Sequence, residues 1–158
     1  MRIIDSINLA YIAGFLGGDG SIFFQIIKRS DYKHKFQIRC SVAFYQKTKY
    51  ADILQELKKY FGSGYIRHRK TGISDYTIVE FAEVKKILLL LKPFVRVKKQ
   101  QLELGLSILN KLESRKSRKD FLEICNLVDK FGSLNNSKKR TINSNVVKDY
   151  FTNNSLPL

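Results

Sequence analysis

From Ile7 to Gly18 apolar side chains recur at helical spacing, with Asp5 or Ser6 placed to cap the start and Gly18-Asp19-Gly20 to stop it. The period then drops to two. The stretches "SIFFQIIKR" and "KFQIRCSVAFYQ" are expected as strands joined by the polar "SDYKHK". In the second, Phe36, Ile38, Cys40, Val42 and Phe44 face one way, and Gln37, Arg39, Ser41, Ala43 and Tyr45 face the other. Lys47 to Phe61 returns to helical spacing, with Thr48 as the cap, Ile53, Leu54, Leu57, Tyr60 and Phe61 as the buried stripe, and Gly62 at the C-cap. "GYIRHRK" and "SDYTIVEF" form a second strand pair around Thr71-Gly72-Ile73, with Arg67 and Arg69 on one face and Ile66 opposite.

A short helix from Glu83 to Leu91 ends before Pro93, because proline disfavours helical geometry in the residue before it. Helical spacing resumes from Val97 through Leu112 and in "DFLEICNLVDKF". "NNSKKRTINSN" reads as a polar loop, followed by a last short helix around Val146 to Phe151. The order is two α-β-β units of similar size and then further helices, which predicts an α+β fold with a four-stranded antiparallel sheet. The length suits one domain over 1–158, with a core at about 6–131 and a C-terminal loop and tail at about 132–158.

Charge changes the picture of the sheet. Lys and Arg number 29 against 14 Asp and Glu, for a formal net charge of +15 spread along the chain, which points to a polyanionic partner. No apolar run approaches the roughly 18 residues of a spanning helix, no secretory signal opens the sequence, and a basic helix with an aromatic apolar face suited to a membrane surface is missing. Cys40 and Cys125 lie far apart, without a CxxC or His/Cys cluster, and are expected as reduced core residues.

One sheet face buries its apolar rows, and the other carries Gln25, Arg29, Gln37, Arg39, Arg67, Arg69, Asp75 and Thr77. Such side chains on a β-ribbon suit the major groove, arginine to guanine, glutamine to adenine and aspartate to cytosine. The same row also suits a plain solvated face. The wider set expected against DNA adds Ser21, Tyr32, Lys33, Ser41 and Lys47, and beyond the helices Ser137, Lys138 and Lys139. His34 and His68 read as surface or phosphate-contact residues.

"YIAGFLGGDGS" asks for a separate explanation. Ala10, Gly14 and Gly18 stack on one helix face with Ala13 and Gly17 beside them, a stripe that lets another helix approach until backbones nearly touch. The stretch occurs once, so the partner helix is expected from a second copy of the chain. Two-fold pairing would bring two Asp19 carboxylates together beside helix-end carbonyls, hard oxygen ligation suited to magnesium that keeps waters and takes phosphate oxygens. Asp19-Gly20 also suits an ordinary turn into a strand.

"YIAGFLGGDGS" resembles the single motif of the LAGLIDADG homing endonucleases. "YQKT", "GSGYIRHR", "SDY", "LKPFVRVKKQQ" and "NNSKKR" match the small homodimeric, intron-encoded branch in order and spacing, so the resemblance covers most of the chain. It implies an αββαββα fold with a saddle-shaped sheet and dimerisation through the motif helices. The implied activity is a metal-dependent, staggered double-strand break in a long, nearly palindromic DNA site. By position, Asp19 matches the metal-binding acid, with the Gly18 carbonyl as a further ligand; Gln46 matches the residue that positions the attacking water, and Lys98 the basic residue of the catalytic pocket. Magnesium is the implied cofactor, with manganese substituting and calcium supporting binding without cleavage. An organelle, chloroplast or mitochondrion, is the implied compartment. A cleavage-inactive DNA- or RNA-binding relative, an intron maturase, is the other reading, and retention of Asp19, Gln46 and Lys98 favours the enzyme. Two positions depart from the pattern: Gly17 stands where the motif often has an acid, and Tyr50 where close relatives carry arginine.

Overall fold

The computed structural model describes residues 5–32, 34–136 and 140–158. The elements are α1 (Ser6–Asp19), β1 (Gly20–Lys28), β2 (Phe36–Lys47), a 3₁₀ turn (Thr48–Tyr50), α2 (Asp52–Phe61), β3 (Tyr65–His68), β4 (Ile73–Ile78), α3 (Phe81–Leu91), α4 (Lys99–Ser114), α5 (Arg118–Leu134) and α6 (Ser144–Asn153). The strands form one antiparallel sheet in the order β1-β2-β4-β3, the α+β arrangement that the hydrophobic pattern predicts. Among the described residues no helix is long and apolar enough to cross a membrane.

The chain divides into two compact units, Met1–Ile22 with Cys40–Leu102, and Phe23–Arg39 with Glu103–Leu158. In the first, Asp5 caps α1 by accepting from the Asn8 N–H at 2.8 Å. Helix α1 packs on α3 through a face that buries Ile12, Ala13 and Leu16, and Phe15 meets Phe44 of β2 at 5.6 Å between ring centroids. The expected alternation of β2 holds: Cys40, Val42 and Phe44 are fully buried. Phe44 stacks on Tyr76, whose hydroxyl donates to the Ser63 carbonyl at 2.7 Å. Gly62 ends α2 in the left-handed conformation at φ 75°, which glycine adopts without a Cβ clash.

Thr48 is not the helix cap expected of it. It opens the 3₁₀ turn, its hydroxyl bonds Ser74 instead, and α2 starts at Asp52 behind Ala51, with no side-chain cap.

In the second unit, Phe24 stacks on Phe131 and Phe36 meets Tyr150 edge-on. A capping box of Ser117 and Asp120 starts α5. The last short helix expected around Val146 to Phe151 forms as α6, which buries Val147 and Phe151 and packs on α5. Cys40 and Cys125 are free and buried, and desolvation pushes each thiol up to about 12, as inert core residues require.

Candidate active site and nucleic-acid interface

Helix α1 ends in a charge that its own dipole disfavours. Asp19 is exposed in the last turn, where unpaired carbonyls are partially negative, and that turn holds no basic residue. Lys98 supplies the cation from elsewhere in the same unit, its Nζ donating to the Gly17 carbonyl at 2.6 Å. Its backbone is held in the left-handed region at φ 67°, a conformation that costs of order 1–3 kcal/mol and concentrates at functional sites. Burial lowers the Lys98 ammonium from its ordinary value, with the Asp19 carboxylate pulling the other way. Asp19 itself accepts no hydrogen bond among the described residues.

Asp19 leads directly into β1, and Ser21 Oγ lies 3.3 Å from the Tyr45 hydroxyl on β2. That contact ties the acid's strand to the one carrying Gln46. The Gln46 Oε1 accepts the Lys47 N–H at 2.8 Å, which holds the amide oxygen and leaves the nitrogen as the free donor of the pair. Asp19 and Lys98 are thus brought together, while Gln46 is held by its own strand and makes no hydrogen bond to either.

The stripe on α1 is open but composed differently from the expectation. Ala10, Gly14 and Gly18 are exposed, and a Cβ added at Gly14 or Gly18 would meet nothing within 4 Å. Ala13 is 2% exposed, and a Cβ at Gly17 would lie 3.2 Å from the Val97 Cβ, so these two serve packing within the chain. Ile7 and Tyr11, 80% and 57% exposed, complete the open stripe and were not anticipated. Beside it lies a groove of about 490 Å³ lined by Pro93, Phe94, Arg96 and Val97.

On the sheet, register sorts the polar residues. Tyr45, Asp75 and Arg67 are aligned across β2, β4 and β3, as are Ala43, Thr77 and Tyr65 one step away, so each row shares a face. The expectation that Asp75 and Thr77 read bases is corrected. Asp75 is 1% exposed, and its carboxylate is occupied by Arg69 Nε at 2.8 Å, Arg67 Nε at 3.2 Å and Thr77 Oγ1 at 2.9 Å. Thr77 is buried with it. Both arginines bond Asp75 through Nε and not through their terminal nitrogens, and Arg69 sits over the Tyr45 ring at 5.8 Å. The Asp75 bond holds the Arg69 guanidinium above its ordinary value. Ser41 is half-buried on the same strand face, and Lys47 is exposed.

In the second unit, Arg39 is exposed and Gln25 and Gln37 are half-buried. The Arg29 guanidinium is engaged by Asp31 through Nε at 3.0 Å and through a terminal nitrogen at 2.8 Å. Tyr32 donates its hydroxyl to the Gln37 side-chain carbonyl at 2.5 Å, so each occupies part of the other's capacity. Lys33, Ser137, Lys138 and Lys139 lie outside the described residues.

The site is an acid at a helix end beside a lysine, leading into one edge strand of a sheet whose other edge strand carries Arg67, and the comparisons define its class as a nuclease. The family described as LAGLIDADG endonuclease matches residues 12–103, and the chain belongs to that family. It is 40% identical over 141 residues to the DNA endonuclease I-CreI of Chlamydomonas reinhardtii, covering 89% of this chain and 86% of that protein. It is 36% identical over 145 residues to the DNA endonuclease I-CvuI of Chlorella vulgaris, covering 92% and 90%. A crystal structure of I-CvuI with an I-CreI target, uncleaved in 2 mM Mg, aligns with a TM-score of 0.90 at 34% identity over 96% of this chain and 97% of that one. The archaeal I-Vdi141I bound to DNA shares the fold at a TM-score of 0.83 and 21% identity.

Proposed function

We propose that the protein is a homodimeric homing endonuclease that makes a staggered double-strand break in a long, nearly palindromic DNA site, with magnesium as cofactor. The observation that carries this reading is the bare face of α1 ending in an exposed acid: Ala10, Gly14 and Gly18 open to a second copy, and Asp19 at their end. The I-CreI and I-CvuI relatives are DNA endonucleases, and I-CvuI has been crystallised on DNA with Mg and with Ca, which supports the substrate and a divalent metal.

The donors fit such an ion. Among the described residues no group of three or more His, Cys, Asp or Glu side chains could hold a metal. One exposed carboxylate beside the Gly18 carbonyl suits an ion that takes its other ligands from water and phosphate. Asp19 and the Gly18 carbonyl would hold magnesium, whose bound chemistry is polarisation of the scissile phosphate and acidification of a water. The Gln46 amide, its oxygen held by the Lys47 N–H, would orient the attacking water through its nitrogen. The Lys98 ammonium, already on the end of α1, offsets charge that develops on the phosphate. Pairing through α1 places a second Asp19 near the other strand. Manganese should substitute, calcium should support binding only, and the compartment we propose is an organelle.

The test is incubation of a duplex library with parent and Asp19→Asn under magnesium. The parent should cut specific sequences, and the variant should bind the same sequences without cutting. Specific binding by the parent with no nicking under any divalent metal would leave a DNA-binding relative as the function.

A further inference from the structure

On the opposite face of the sheet from the arginines, Gln46, Ser74 and His68 are aligned across β2, β4 and β3. Ser74 is fully buried in a face otherwise filled by Phe44 and Tyr76. Its hydroxyl lies 2.9 Å from Thr48 Oγ1 and 2.7 Å from His68 Nδ1. One hydroxyl proton cannot serve both neighbours, so Ser74 donates to one and accepts from the other, closing a three-membered chain in either histidine tautomer. Thr48 is held a second time, its N–H donating to the Gly72 carbonyl at 2.8 Å.

This clamp lies at the end of the β2–β4 ladder, whose last aligned pairs are Gln46 with Ser74 and Lys47 with Ile73. Ladder ends open locally at low cost. Gln46 is sensitive to such opening, because its side-chain oxygen is held by the N–H of Lys47, the residue just before Thr48. We infer that Ser74 and His68 are positioning residues for Gln46, acting through Thr48 to hold the strand end against the β3–β4 hairpin. The inference rests on the endonuclease reading, in which Gln46 orients the attacking water.

A role in folding stability alone is a poor account of the cluster. Thr48 and His68 are exposed, so both find water if the Ser74 hydroxyl is removed, and alanine is tolerated in a packed apolar layer.

The experiment uses the full chain with Ser74→Ala, His68→Leu and His68→Asn, the last keeping a polar side-chain group near the position of Nδ1. Amide exchange at Thr48 should accelerate several-fold in Ser74→Ala and His68→Leu and stay near the parent in His68→Asn. On a duplex that the parent cuts, the first two should cleave roughly tenfold more slowly in a single turnover, a small geometric misplacement being enough for that. Their affinity, measured in chelator, should stay within about twofold, and His68→Asn should recover most of the rate. Unchanged Thr48 exchange overturns the clamp whatever the cleavage shows. Parental cleavage rates, or a rate loss matched by an equal loss of binding, overturn the positioning role. A parent that cuts nothing overturns the endonuclease reading instead, and Thr48 exchange then decides whether the clamp exists.

Discussion

A single short carboxylate aims two long cations. The Asp75 side chain is 1% exposed, and Arg67 and Arg69, 55% and 41% exposed, bond it through their Nε groups. Burial pushes the Asp75 carboxyl up, but hydrogen bonds from Arg69, Thr77 and Arg67 together outweigh it and hold the group below the usual carboxylate range. Its folded value is depressed, so its contribution to stability is present above the unfolded value of about 3.9 and is lost as pH falls through the folded one. Asp75→Ala should therefore cost about 1–3 kcal/mol at neutral pH by denaturant titration, with the gap to the parent closing below about pH 4. It should also relax sequence preference, by freeing both guanidiniums, more than it weakens affinity. A variant whose deficit is unchanged at low pH would show that the charge is not what Asp75 contributes. Period-two alternation placed this residue on the correct face with its arginines. It carried no information on depth, because alternation reports direction only, and a side chain with one methylene sinks between neighbours with three.

At the scale of elements, the corner between α1 and β1 decides where Asp19 sits. A Cβ on Gly20 would lie 2.8 Å from both the Leu16 Cα and its carbonyl oxygen, and Leu16 is fully buried. Gly20→Ala should destabilise the chain by about 1–3 kcal/mol, as overpacking does, and should lower cleavage through a displaced acid. Gly18→Ala, with nothing within 4 Å of the added carbon, should fold like the parent. Equal melting temperatures for the two variants would contradict the corner as the reason for Gly20. The helix stop at Gly18-Asp19-Gly20 was legible, as was the Gly62 cap of α2, since both follow from local backbone geometry. That Gly17 answers to Val97, Gly20 to Leu16 and Gly18 to open space was not legible, since each depends on what the fold brings against it. Thr48 shows the same limit: a capping residue in sequence was diverted by Ser74, 26 positions away.

For the whole molecule, the remaining question is what covers the open face of α1. A net charge of +15 points to a polyanionic partner from sequence alone, whereas pairing with a second copy would leave only small residues as a trace, and part of that stripe faces inward. Gly14→Leu separates folding from assembly. Gly14 is exposed with free space around it, and leucine is favoured over glycine in a helix by about 1 kcal/mol, so the isolated chain should be at least as stable as the parent. The added side chain should nevertheless hold two helices apart. Sedimentation should then show the 18.4 kDa chain as a monomer where the parent, on the proposed reading, sediments as a dimer. The log of DNA affinity falls with log salt by roughly 0.9 per phosphate neutralised, so a protein that engages one half-site should show about half the parental slope. Cleavage of both strands should be lost together with the dimer, because each Asp19 then stands alone. A variant that stays dimeric and keeps the full salt slope would move the subunit interface away from α1, and with it the reason for two acids at one axis.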